Sequence, residues 1–395
     1  MKPTRIFVIR NLTTALFIAA YFKQRDFFKE KGHNICVLNW NNDLRKDSEN
    51  ANLVKAYDFL AQMISSEVLI FPEPHCDYIN MNLRNFVYDH RQKTAYMQAL
   101  KTMLTEHQVN PADITEVYHS SRVFHRYLKY LNPGIKLVSF EHGLSEIKNF
   151  ILLRKPQRRL KHAVKTIVGR IFFQFYAYAE SDDARVSLLA DVIRKINRSS
   201  PIETLKNESV RNVAQVFANQ DIRIEKLPMD KKAKAVIMLH NVRRYTDKKE
   251  DHEAFYKSFA DYLLPKIKEY AQNTQCLIFK PRGFDKNFQG VKSYYRDRFR
   301  DYEVVFFDEL SRTNGPIEYY LDRLQPQSLW GNTSSGLFYA KAINPQIKTF
   351  TFHPFVIKYL QEKFNDIFPD YHWTLDIFYN RCKDVFTPIL PRIVN

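Results

Sequence analysis

The sequence predicts an α/β protein made of two Rossmann-like domains that face a central cleft. Three observations predict it. Short β-rich apolar runs alternate with helical patterns from residue 5 to residue 141. The same alternation resumes at residue 235 and continues to residue 366. Between them, residues 150–230 break the rhythm, as a connection between two domains would. Alternating strand and helix signals of this kind indicate parallel sheets wrapped by helices.

The elements follow in order. RIFVIR (5–10) reads as a strand and leads into a helix from Thr13 to Lys31. NICVLNW (34–40) is a strand, 51–66 a helix, and EVLIFP (67–72) a strand again. A helix over 94–107 precedes the strand ITEVYHS (114–120), and a helix over 121–131 precedes KLVSFE (136–141). Residues 150–230 read as helical and basic, then polar around NRSSPIETLKNES (197–209). AVIMLH (235–240), CLIFK (276–280), YEVVFF (302–307), QSLW (327–330) and IKTFTF (347–352) are the later strands. Helices over 251–271, 316–325, 335–342 and 355–366 lie among them. The expected domains are therefore 1–150 and 231–375, joined by a helical basic segment at 151–230. A tail at 376–395 is expected to pack back on the first domain.

Composition narrows the class. At 395 residues, two domains are the default, and 45% apolar content fills two cores. No run of 18 apolar residues marks a membrane span. Polar Asn11, Thr13 and Thr14 interrupt the apolar start, so it reads as strand and helix and not as a signal peptide. A cytoplasmic protein is expected. Cys36, Cys76, Cys276 and Cys382 are far apart and suggest buried free thiols, neither a disulfide framework nor a zinc site.

The net charge of +17 favours anionic partners. Residues 147–179 contain no acid, carry eight lysines and arginines between 148 and 170, and end in the aromatic stretch IFFQFYAYA. Basic residues beside aromatic ones suit the anionic inner surface of a cell membrane, and equally a solvated basic face of a connecting helix. Nucleic-acid binding is disfavoured: there is no zinc finger, RNP-like aromatic motif or helix-turn-helix.

Ligands of parallel α/β sheets bind outside the carboxyl ends of the strands, so strand-end residues carry the functional expectations. LVSFEHGLSEI runs from a strand into Glu141, His142 and Gly143. Either Glu141 or His142 suits proton removal from a hydroxyl, and Gly143 permits close approach of substrate. The plain alternative is that Glu141 caps a helix. LIFKPRGF places Lys280 and Arg282 at a second strand end, where two cations suit a phosphate. LWGNTSSGLFYAKA sets Thr333, Ser334 and Ser335 at a helix start, a ready anion site or an ordinary N-cap. Thr13 and Thr14 after the first strand, and His240 after AVIMLH, are further substrate-contact candidates. His353 reads as a packed loop histidine. There is no GxGxxG, no GxxxxGK[ST] and no HExxH, so no nicotinamide, P-loop or metal chemistry is expected, and no cofactor. The pair Asp182-Asp183 sits in a polar, helical-looking stretch.

Together these motifs resemble the bacterial sialyltransferases of the two-Rossmann (GT-B) kind, in particular capsular polysialyltransferases and lipooligosaccharide sialyltransferases. Those families carry an acidic-acidic-glycine motif, a His-Pro motif and a Ser-Ser or Ser-Thr pair, each at a strand end or helix start. The matching positions are Glu141-His142-Gly143, Lys280-Pro281 and Ser334-Ser335, with 139 residues from Glu141 to Lys280 and 54 from Lys280 to Ser334. Here His142 stands for the second acid and Lys280 for the family histidine. The resemblance implies a metal-independent glycosyltransferase. The first domain would take a glycan or lipid-linked acceptor of a capsule or lipooligosaccharide, and the second a CMP-activated sialic acid. It also implies Glu141 as base, with His142 serving instead or orienting it. Lys280, Arg282, Ser334 and Ser335 would stabilise the departing phosphate. The two departures leave CMP-Kdo or a CDP-polyol open as donor.

Overall fold

The computed structural model describes residues 3–30, 32–38, 51–65, 67–71, 86–120, 124–141, 182–196, 201–223, 233–240, 242, 245–281, 285–332, 334–365, 376–381 and 383–394. The chain divides into two compact units, Met1–Val210 and Arg211–Asn395.

In the first unit β1 (Thr4–Ile9) is followed by α1 (Leu12–Arg25), β2 (His33–Leu38), α2 (Ala51–Gln62), β3 (Glu67–Ile70) and α3 (Phe86–Glu106). Next come β4 (Ile114–His119), α4 (Phe124–Leu131), β5 (Lys136–Phe140), β6 (Ala184–Ser187), α5 (Ala190–Ile196) and β7 (Ile202–Thr204). The strands form one parallel sheet in the order β3-β2-β1-β4-β5-β6-β7.

A parallel sheet covered on both faces needs strands that are apolar along their whole length. In β1 all six residues are buried, and Ile6 to Ile9 form the apolar run, while Arg5 is buried against Glu30 and Glu116. Ile6 and Val8 face a cluster with Leu104 of α3 and Tyr127 of α4. Phe7 points the other way, stacks on Tyr118 with ring centroids 4.9 Å apart, and meets Phe22 of α1 at 5.2 Å. α1 starts at a capping box in which Asn11 Oδ1 accepts from the Thr14 N–H at 2.9 Å. It stops at Asp26, whose φ of 56° is left-handed, a conformation that short polar residues tolerate.

In the second unit α6 (Asn207–Asp221), which crosses the boundary, leads to β8 (Lys234–Met238), α7 (Lys249–Tyr270), β9 (Cys276–Lys280), α8 (Lys292–Arg298) and β10 (Glu303–Phe306). β11 (Ser328–Gly331), α9 (Ser335–Ile343), β12 (Lys348–Thr351), α10 (His353–Phe364) and β13 (Arg392–Ile393) complete it. The strand order is β10-β9-β8-β11-β12-β13, again parallel. Aromatic side chains dominate this core. Trp330 stacks on Phe350 at 4.4 Å, Phe259 of α7 meets Phe352 at 4.5 Å, and Phe279 meets Tyr295 of α8 edge-on at 4.8 Å. Each fully buried phenylalanine contributes roughly 1.5–3 kcal/mol.

Two expectations need correction. The segment 151–230 is not a helical connector throughout, because β6, α5 and β7 extend the first sheet. The Asp183 carboxylate accepts from the Leu137 N–H at 2.7 Å beside β6. β7 is held to α1, where Tyr21 Oη donates to Glu203 at 2.5 Å and Gln24 Nε2 donates to the Thr204 carbonyl at 3.0 Å. The tail from 376 was expected on the first domain. Instead its strand β13 pairs with β12, and Tyr262 Oη donates to the Val394 carbonyl at 2.9 Å. Cys36 and Cys276 are buried free thiols. Cys76, Cys382 and the basic 148–170 segment lie outside the described residues. No helix among the described residues is long and apolar enough to cross a membrane.

Candidate functional site

Each sheet reverses its strand order once, between β1 and β4 in the first unit and between β8 and β11 in the second. These reversals are where α/β sheets open a crevice at their carboxyl ends.

In the second unit, four neighbouring strand ends carry polar side chains. β9 ends in Lys280, which is buried with 8% exposure. Its Nζ donates to Asn314 Oδ1 at 3.0 Å and to the Asn314 carbonyl at 3.3 Å, and lies 4.8 Å from the Phe307 ring centroid. Burial pushes the ammonium down to about 8, while the charge of Glu318 foremost, then Asp221 and Asp308, supports its protonated form. Glu318 is buried too, and that burial raises it above the usual carboxylate range. Asn314 has a left-handed φ of 47°. The loop that holds it there is tied down by Asp221, which accepts from the Thr313 N–H at 2.9 Å and from Tyr320 Oη at 2.8 Å.

β8 ends near half-buried His240, β11 near Asn332, and β12 near His353. Asn332 bridges both imidazoles across the point of reversal. After β11, Ser334 caps α9 by accepting from the Gly336 N–H at 3.3 Å, and Ser335 is half-buried at the first helical position. A Cβ on Gly336 would come within 2.9 Å of Ile317 Cγ2, so the helix start is packed as closely as glycine permits. Lys280, His240, Ser334 and Ser335 thus lie at the carboxyl ends of neighbouring strands of one sheet. Arg282 and Thr333 lie outside the described residues. The arrangement offers a cation, an imidazole, hydroxyls and a helix amino end, the groups that hold a phosphate. A hollow of about 300 Å³ lined by Tyr270, Gln327, Ser328 and Lys348 lies at the opposite, amino ends of β11 and β12. It contains none of these groups.

The first unit departs from expectation at the residue chosen as base. Glu141 is 0% exposed. Its Oε2 accepts from Ser187 Oγ at 2.7 Å, and its Oε1 accepts from the N–H groups of Leu188 and Leu189 at 2.9 and 3.4 Å. This carboxylate ties β5 to the turn that enters α5. It is a buried structural acceptor, not an oxygen presented to a substrate. His142 and Gly143 lie outside the described residues. Thr14 is likewise consumed. Its Oγ1 donates to the Asn11 carbonyl at 2.9 Å and accepts from Ser120 Oγ at 2.9 Å, a bond that spans the β1–β4 reversal. Thr13, one position earlier, is half-buried.

One cluster escaped the sequence. His119, at the end of β4, stacks on His125 of α4 with centroids 3.7 Å apart and ring planes 9° apart. His119 Nε2 meets Asp182 Oδ1 at 3.1 Å, and the Arg185 guanidinium lies 3.6 Å from Asp182 Oδ2. Burial opposes the Asp182 charge, but His119 and then His125 hold the carboxyl below its usual range. Burial, then the neighbouring His119, pushes His125 well below an ordinary histidine. The ligand atoms of these three residues lie within 4.8 Å of one another, and two histidines with an aspartate suit a zinc-class ion in kind. The in-plane lone pairs of two parallel rings do not converge on one point, however, and Arg185 places a cation against the carboxylate. The geometry fits a buried ion-paired histidine stack better than a metal centre. The expected helical setting of Asp182-Asp183 is corrected: both precede β6.

No family model matches the chain, and no curated protein does. Among solved structures, a sialyltransferase from Photobacterium damsela matches with a TM-score of 0.54 at 11% identity, covering 100% of this chain and 82% of that one. A UDP-GlcNAc 2-epimerase from Methanocaldococcus jannaschii, in complex with UDP-GlcNAc and UDP, matches at 0.42 and 9% identity, covering 88% and 83%. UGT71G1 from Medicago truncatula, complexed with UDP-glucose, matches at 0.44 and 8% identity, covering 92% and 83%. The fold assignment rests on the first of these: the chain has the two Rossmann-like units of the GT-B class.

Proposed function

We propose that this protein is a glycosyltransferase that moves a sialic acid, or a related nonulosonic or ulosonic sugar, from a CMP-activated donor to a cell-surface glycan acceptor. The observation that carries it is the row of Lys280, His240, Asn332 and Ser334 across adjacent strand ends of the second sheet. A departing monophosphate needs stabilisation of its growing charge, and fixed cations and N–H donors in a dry site provide it. Lys280 supplies the charge without a metal, held by Asn314 and backed by buried Glu318. Ser334, Ser335 and the start of α9 supply hydroxyls and backbone N–H groups. Burial of Glu141 moves the proton-accepting role to its neighbour His142, with Glu141 fixing the strand end from which that residue leaves. Arg282 and Thr333 complete the donor side, and Thr13 and Gly143 the acceptor side.

A thermal-shift panel with CMP, CDP, UDP and GDP tests this. CMP is expected to raise Tm most, since binding to the native state alone stabilises by about 2.7 kcal/mol at a hundredfold excess over Kd. Transfer from CMP-sialic acid is then read by product analysis. A phosphodiester product would assign a CDP-polyol donor, and transfer from CMP-Kdo alone would assign that sugar. If no nucleotide shifts Tm, the transferase reading fails.

A further inference from the structure

One side-chain amide joins three strand ends of the second unit. Asn332 Nδ2 lies 3.3 Å from His240 Nδ1, and Asn332 Oδ1 is in close contact with His353 Nδ1. A primary amide donates at one end and accepts at the other. Whichever way the amide is turned, the two imidazoles must meet it in opposite states, one with a proton on Nδ1 and one without. The amide is set with its oxygen toward His353 and its nitrogen toward His240. His353 therefore carries its proton on Nδ1, and His240 accepts at Nδ1.

The neighbourhood makes this setting rigid. His353 is fully buried, its backbone N–H donates to Thr351 Oγ1 at 3.3 Å, and Thr351 Oγ1 donates to the Asn332 carbonyl at 3.4 Å. On its far side the His240 ring meets Phe255 edge-on at 6.1 Å. His240 is half-buried at the β8 end, between the strand of Lys280 and the strand of Ser334. Neither partner of the amide was expected from the sequence to control the other.

We propose that Asn332 locks His240 as the neutral tautomer protonated on Nε2, so that His240 acts as a directed N–H donor to an anionic phosphate oxygen of the nucleotide. Asn332 is then a positioning residue. The tautomer half stands on the geometry alone, and the ligand half rests on the donor-site reading above.

The full chain labelled with 15N-histidine tests the first half, with the His240 signals identified by their loss in His240→Gln. Long-range 15N–1H correlation is expected to show His240 unprotonated at Nδ1 and protonated at Nε2. In Asn332→Ala both tautomers are expected. In Asn332→Asp, a carboxylate that only accepts, the proton is expected on Nδ1. A protonated Nδ1 in the wild type overturns the proposal. Calorimetric titration with CMP tests the second half. His240→Gln, which keeps an N–H donor, is expected within about threefold of wild type, and His240→Phe weaker by about tenfold or more. Unchanged affinity in His240→Phe overturns the ligand half. Absence of CMP binding in the wild type overturns the donor-site reading and the ligand half together, and the tautomer result is then judged on the spectrum alone.

Discussion

Two buried charges show how differently residues of similar appearance in sequence are used. Glu141 and Lys280 both end apolar strands, but only Lys280 sits among groups suited to a ligand. Glu141→Ala leaves Ser187 and two backbone N–H groups without their acceptor, and a loss of about 2–4 kcal/mol is expected in urea denaturation. Glu141→Gln keeps one oxygen for the backbone donors and should lose about 1 kcal/mol. Loss of activity in proportion to loss of folded protein would mark Glu141 as structural, and full stability with no activity would return it to the role of base. Lys280 makes a prediction in pH. Its folded value of about 8 lies below the ordinary lysine value. Between that value and about 10.4 the unfolded chain holds a proton the folded chain lacks. Stability from this group therefore rises with pH through that window and is lower below it. Lys280→Met removes the contribution, so the stability gap between wild type and variant should change by roughly 3 kcal/mol from pH 7.5 to pH 10.5. A constant gap would show that the ammonium is not desolvated. The strand-end motifs were legible as motifs, because chemistry-bearing residues stand out after apolar runs. The tertiary partner that decides each role was not legible: Ser187 lies 46 residues beyond Glu141, and Asn314 lies 34 beyond Lys280.

The long apolar strands and the helices between them were readable at the scale of elements, as in IFVI of β1 and CLIF of β9, because burial on both faces writes itself as a continuous apolar run. The short strands were not. ARVS at β6 carries a buried arginine paired with Asp182, IET at β7 is three residues long, and RI at β13 is two. Strands this short take their identity from the neighbours they pair with. The first domain consequently runs about 60 residues past its expected end, from 150 to 210. A fragment of residues 1–210 is expected to give a cooperative thermal transition. A fragment of 1–150 lacks β6 and β7 and leaves the Ser187 partner of Glu141 absent, so it is expected to aggregate or melt without cooperativity. Equal behaviour of the two fragments would place the boundary back at 150.

Charge remains the strongest statement about the whole molecule that composition makes. The fold neither explains nor requires a net +17. We propose that it draws the chain to an anionic membrane surface through the 148–170 segment, with basic residues contributing about 1 kcal/mol each near such a surface. Sedimentation with phosphatidylserine-containing vesicles should fall as salt rises from about 0.1 M to about 0.5 M. It should weaken further when Arg158, Arg159, Lys161 and Lys165 are replaced by glutamine. Salt-independent sedimentation, or none, would remove the membrane from the account.

The anchoring of Glu141 and of the Asp182-Asp183 pair has a consequence for how such a chain changes over time. The backbone leaves β5 from a residue bolted to the β6–α5 turn, and returns at two aspartates bolted to β4 and β5. With both mooring points built into the framework, a change of length between residues 142 and 181 costs little entropy and leaves the register of β4, β5 and β6 pinned from both sides.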